Sequence, residues 1–94
     1  MDKKYLLKLY IMGSTPQSEK AVKNIEAICK KELAGEYHLQ IINIVEKPQL
    51  AEDDRIIAVP TLVKALPEPL RRVIGDLSNT EKVLLGLDLV AQDK

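Results

Sequence analysis

The residues best able to carry chemistry are few and scattered. Cys29 is the single cysteine. A dithiol oxidoreductase needs Cys-x-x-Cys, or at least one thiol, at a strand-to-helix turn where the helix N-terminus lowers the thiol pKa. The turn that would serve reads Ser14-Thr15-Pro16-Gln17, so disulfide exchange is not the expected activity. Cys29 falls instead among apolar residues at helical spacing, which predicts an inert core thiol. His38 stands alone, without the two or three further ligands that a metal site requires. Glu52-Asp53-Asp54 places adjacent carboxylates on one short helix, where they point in different directions and read as a solvated face rather than a cation site. Gly75-Asp76 reads as a turn ahead of a helix cap, not as a phosphate loop.

Binding is what remains. Lys20, Arg55, Lys64, Arg71 and Arg72 lie on separate segments, and a small α/β fold would bring several of them together near Pro60; the alternative is ordinary solubilising charge. Fourteen basic and fourteen acidic residues cancel, so no global field draws in nucleic acid or a membrane surface, and a charged partner must be met by a local patch. With three Tyr and neither Trp nor Phe, no stacking platform for single-stranded nucleic acid is expected. The 94 residues, 46% hydrophobic and 30% charged, read as one globular domain, 1–94, with one core. Lys8 interrupts the only N-terminal apolar run, which lacks a cleavage site and transmembrane length. With a lone cysteine this points to a cytoplasmic location.

These residues must be positioned by the elements around them. Tyr5 to Met12 is apolar at nearly every position, as a central strand covered on both faces would be. Gly13 turns the chain into a helix through Leu33, with Thr15 as cap and Pro16 in the first turn, or Ser14 with Gln17 as a capping box. Val22, Ile25, Cys29 and Leu33 form its apolar face, and Gly35 is a left-handed stop. Tyr37 to Val45 reads as a second strand, parallel to the first through a right-handed crossover. One or two helical turns follow in Pro48 to Ile56. Proline cannot donate to a ladder, so Pro60 marks the entrance of a third strand and a candidate cis bond. Leu66-Pro67-Glu68-Pro69 turns the chain, Leu70 to Ile74 makes a fourth strand, and Ser78 with Glu81 forms a capping box for a last helix. Val83, Leu87 and Val90 continue that helix, but Leu85, Leu87 and Leu89 also alternate as in a strand. Gly86 weakens the helical alternative by roughly 1 kcal/mol relative to alanine, so alanine there is expected to favour the helix.

The order β-α-β-α-β-β-α, with Ala58-Val59-Pro60-Thr61-Leu62-Val63 opening the third strand, resembles a thioredoxin-like domain. The longer blocks are more specific. Leu7-Lys8-Leu9-Tyr10, Gly13-Ser14-Thr15-Pro16, Pro48-Gln49-Leu50-Ala51-Glu52-Asp53-Asp54, Pro60-Thr61-Leu62, Ile74-Gly75-Asp76-Leu77-Ser78, Glu81-Lys82-Val83-Leu84 and Gly86-Leu87-Asp88-Leu89 are similar to the KaiB family of bacterial circadian clock proteins, from about Tyr5 to Leu89.

The resemblance implies a non-enzymatic protein, without cofactor or metal, that has two folds. One is a ground state, βαββααβ, usually tetrameric, and the other a thioredoxin-like monomer, with 1–47 common to both and 48–94 switching. It implies that the monomer binds the N-terminal ATPase ring of KaiC, recruits KaiA or an output histidine kinase, and promotes the dephosphorylation phase. Positions matching Lys20, Arg55, Lys64 and Arg72 belong to partner contacts, Gln49, Glu52 and Arg55 to a segment facing KaiC, and His38 and Gln40 to the strand that recruits the next partner. Many relatives carry a small residue and a lysine where this chain has His38 and Gln40. Tyr5, Pro60, Gly86 and Asp88 match positions tied to the change of fold, and Ala91 replaces a tyrosine common in the family. The rivals are a fixed thioredoxin-like module of a two-component kinase and a degenerate thiol oxidoreductase.

Overall fold

The computed structural model describes residues 4–89. Its elements are β1 (Tyr5–Ile11), α1 (Pro16–Glu32), β2 (Tyr37–Asn43), α2 (Pro48–Asp53), β3 (Thr61–Leu66), β4 (Arg71–Ile74) and α3 (Thr80–Gly86). This is the βαβαββα order expected. The strands form one sheet in the order β2-β1-β3-β4. β1 runs parallel to β2 and antiparallel to β3, which pairs antiparallel with β4.

Alternation along β1 divides the core between the two faces of the sheet. Tyr5, Leu7 and Leu9 pack with Ala21, Ile25, Ile28, Cys29 and Leu33 of α1 and its end, with Leu62, and with Leu77, Val83, Leu87 and Leu89 around α3. Tyr10, Ile42 and Val63 face the other way, beneath Ala51, Ile56 and Val59. One layer thus holds α1 and α3, and the thinner opposite layer holds α2.

Local chemistry sets the boundaries. The Thr15 side chain accepts from the Ser18 N–H at 3.1 Å and Pro16 occupies the first turn, so of the two candidate caps for α1 the threonine serves. Ala34 and Gly35 both take left-handed φ, 50° and 84°, at its end. β2 stops at Asn43 rather than Val45 because the Asn43 side chain accepts from the N–H groups of Gly13 (3.2 Å) and Val45 (3.0 Å), bending the chain away from the ladder. Pro60 directly precedes β3, follows a cis bond from Val59, and accepts the Gly75 N–H through its carbonyl at 2.9 Å.

The expected Ser78 capping box does not form. Asn79 is the cap of α3, its side chain accepting from the Lys82 N–H at 3.0 Å. Ser78 donates its N–H to Asp76 instead, which leaves it one residue outside the helix. The helix also ends earlier than expected. Asp88 sits at φ 57°, its N–H donates to the Leu85 carbonyl, and the Leu89 N–H donates to that of Leu84, the paired bonds of a Schellman stop. Val83 and Leu87 are buried as the helical period requires, whereas Leu85, which a strand would have placed with Leu87, is 83% exposed. Val90 and Ala91 lie outside the described residues.

Candidate functional site

The thin layer is built around α2 and the end of β1. α2 starts at Pro48, has no side-chain cap and buries no residue of its own. It rests through Ala51 on Tyr10, Ile42 and Val63, and polar contacts tie its end to β1. The Tyr10 hydroxyl, on a fully buried ring, donates to an Asp54 carboxylate oxygen and lies 3.3 Å from the Leu50 carbonyl. Lys8 Nζ reaches the same Asp54 oxygen at 3.3 Å. Burial, the Asp54 hydrogen bond and the neighbouring carboxylates of Asp54 and Asp53 push the Tyr10 hydroxyl pKa well above 10, so the phenol remains a donor at neutral pH. Asp54 is thus not part of a solvated carboxylate face as the sequence pattern suggests. Glu52 and Asp53 do face solvent, as adjacent positions on a short helix must. Sequence reasoning missed Lys8, Tyr10 and Asp54, although a lysine inside an otherwise apolar strand was a signal that a carboxylate had to lie above it.

Beyond Asp54 the chain reverses at Arg55, φ 55°, whose carbonyl accepts from Arg72 Nη1 at 3.0 Å. Arg72 is thereby held beside the Arg55 backbone, and Gln49 and Glu52 are exposed on α2, Gln49 bonding Asp53 at 2.9 Å. His38 and Gln40 are exposed on β2 and register with Leu6 and Lys8, on the α2 side of the sheet. Gln40, Ile41 and Ile42 also line an open groove of about 440 Å³ that runs to Lys47 and Leu50.

Two expected contact residues lie elsewhere. Lys20 is on the opposite layer, paired with Asp76 at 3.6 Å, while Asn24 of the same helix donates to the Asp76 carbonyl at 2.8 Å; together they pin the loop after β4 to α1. Lys64 is only 1% exposed, which corrects its reading as a surface contact. It registers with Leu7 and with Arg71, on the face covered by α1 and α3, and a lysine there is not offered to a partner in this fold. Cys29 is buried as its spacing predicted, and burial with the charge of Glu26 pushes its thiol up to about 12. Among the described residues no group of three His, Cys, Asp or Glu is placed to hold a metal ion, and no helix is long and apolar enough to cross a membrane.

Three residues that the resemblance connects with a change of fold have defined places in this one. Tyr5 is 2% exposed in the main core. A Cβ built on Gly86 would stand 2.7 Å from Val73 Cγ2, so this glycine allows α3 to approach β4, and the helix propensity that alanine would add is opposed by that contact. Asp88 supplies the left-handed residue that stops α3.

A model of the KaiB domain matches residues 8–89. The chain belongs to the KaiB family. Its KaiB-family relatives include the circadian clock oscillator protein KaiB of Thermostichus vulcanus, 55% identical over 91 residues that cover 97% of this chain and 84% of the relative. Circadian clock protein KaiB3 of Synechocystis sp. is 52% identical over 87 residues, 93% of this chain and 85% of the relative. Among solved structures, the N-terminal domain of Synechococcus elongatus SasA superposes with a TM-score of 0.71 at 27% identity, covering 95% of this chain and 82% of that domain. A thioredoxin of Malassezia sympodialis gives 0.75 at 15% identity, over 97% and 78%, a likeness of fold alone. This KaiB-family chain therefore has a thioredoxin-like frame, with Ser14-Thr15-Pro16-Gln17 at the turn after β1 and a buried thiol on α1.

Proposed function

We propose that the chain is a non-enzymatic circadian clock or clock-like timer component that changes fold, docks in its thioredoxin-like form on the N-terminal ATPase ring of KaiC, and then recruits KaiA or an output histidine kinase to promote the dephosphorylation phase. The observation that carries this reading is the 55% identity to a circadian clock oscillator protein over 97% of the chain. The geometry supports it by offering a polar, exposed α2 face, Gln49, Glu52, Arg55 and Arg72, as the KaiC side, and His38 with Gln40 on β2 for the second partner. Charges on such faces tune association rate and specificity more than affinity. Residues 48–94 are the proposed switching half, the alternative being a βαββααβ dimer or tetramer. Two folds of one sequence exchange when they differ by a few kcal/mol, and assembly biases one with concentration.

The test is to mix the chain with purified KaiC and ATP and follow complex formation together with NMR of the free chain. A slow-forming complex is expected, because the competent state is initially scarce; absence of any complex would sink the proposal. The likeness to the SasA domain favours one second reading, a fixed thioredoxin-like interaction module. Under that reading the free chain keeps one fold at every concentration and binds without a lag.

A further inference from the structure

α2 buries no residue of its own, lacks a side-chain cap, and rests on residues, Ala51 and Ile56, that are themselves only partly buried. Apolar packing alone is a poor means of fixing such a six-residue helix, yet four polar atoms, from β1, α2 and Asp54 at its end, converge there. The Tyr10 ring is fully buried in a cluster with Ile42 and Val63, which restricts where its hydroxyl can lie. That hydroxyl meets Asp54, and lies near the Leu50 carbonyl that also accepts the Asp54 N–H at 3.1 Å. Lys8 balances the carboxylate charge at 3.3 Å. Hydrogen bonds to a charged acceptor are about twice as strong as neutral ones. The next residue is the left-handed Arg55, whose carbonyl is where Arg72 attaches.

We infer that Asp54, clamped by Tyr10 and Lys8, is a positioning residue that sets the orientation of the Gln49 to Arg55 surface for its partner. The inference rests on the docking role proposed above. Asp54 acts through its neighbours: it ties the end of α2 to the rigid first strand, and the reversal at Arg55 follows from where it is held. Because Lys8 and Tyr10 lie in the first half of the chain and Asp54 in the second, the clamp also makes the docking surface a property of this particular packing.

The experiment is amide hydrogen exchange by NMR on the full chain, with Tyr10→Phe, which keeps the ring, and with Asp54→Ala and Asp54→Asn. The Asp54, Arg55 and Ile56 amides, which donate to the Leu50, Glu52 and Ala51 carbonyls, should exchange about tenfold faster in Tyr10→Phe, with α1 and β1 changed by less than about twofold. KaiC should bind Asp54→Ala about fivefold more weakly, since less of the chain holds the competent surface, and Asp54→Asn, which keeps an acceptor for Tyr10, should fall between. Exchange that rises equally everywhere, or not at all in α2, overturns the clamp. Faster α2 exchange with unaltered KaiC affinity overturns its role in docking. A wild-type chain that fails to bind KaiC overturns the functional reading and the docking role with it, while exchange still decides the clamp.

Discussion

From Tyr5 to Asn43 the chain makes two seven-residue strands around a seventeen-residue helix that buries Ser18, Ala21, Ile25, Ile28 and Cys29. From Pro48 to Gly86 no element exceeds seven residues, α2 buries nothing, α3 buries only Val83, and β3 alone is buried over most of its length. The first half therefore supplies the long elements of the shared core, whereas the second is shaped mainly by what it leans on. Elements with few buried contacts open at lower free energy than the core. That asymmetry supports the proposal above that a change of fold would fall in the second half.

The comparison breaks most visibly in the first half. Ile25 is fully buried, and Ile25→Ala should cost about 3 kcal/mol through lost burial and the cavity left behind, seen as a lower urea midpoint for every probe at once. If α3 and β4 signals survived while α1 melted, the halves would not depend on each other as described. A smaller, local effect is expected from Gly86→Leu. Leucine is a good helix former, so propensity alone predicts a gain, but the 2.7 Å approach to Val73 predicts a loss of about 2 kcal/mol from overpacking. NMR should show α3 and β4 shifts perturbed while α1 and β2 stay in place; a stabilised α3 would contradict the close approach.

The smallest effect concerns the seam between the halves. Hydrogen bonds from Ser78, its hydroxyl first and its N–H second, hold the Asp76 carboxyl below its usual value of 3.8, against desolvation and with help from Lys20. A pKa lowered by folding contributes stability that is fully present above the unfolded value and is lost as pH falls through the folded one. Stability should therefore be flat with respect to this group near neutrality and decline below about pH 4. Asp76→Asn should flatten that part of an acid-unfolding curve by a small amount, and an unchanged curve would show that the α1 to β4 loop contact carries no charge dependence.

Much of this was legible in advance because it rests on local rules. The period-2 and 3.6-residue patterns marked β1, α1 and β2, Thr15 and Pro16 marked the start of α1, and Pro60 marked the entrance of β3. The candidate site was legible only in part. Gln49, Glu52, Arg55 and Arg72 are singled out only by the resemblance; the structure shows them exposed on and beside α2, and nothing in the local pattern reveals that Lys64 is buried. A lysine in a short strand looks exposed until one knows that α1 and α3 cover its face. Asn79 replaced Ser78 as cap because both are good N-caps one residue apart, and only the bond from Ser78 to Asp76 separates them.

The amino-acid pattern by itself determined the order of elements as far as β3, the inert core placement of Cys29 and the lack of thiols at the turn after β1, since each follows from side-chain type and spacing over a few neighbours. Tertiary structure alone decided the Tyr10 to Asp54 contact across 44 residues, the burial of Lys64, and the choice of helix over strand at Leu85. Those outcomes depend on which surfaces meet when the sheet closes, and distances across the sheet are not encoded in any local window of the chain.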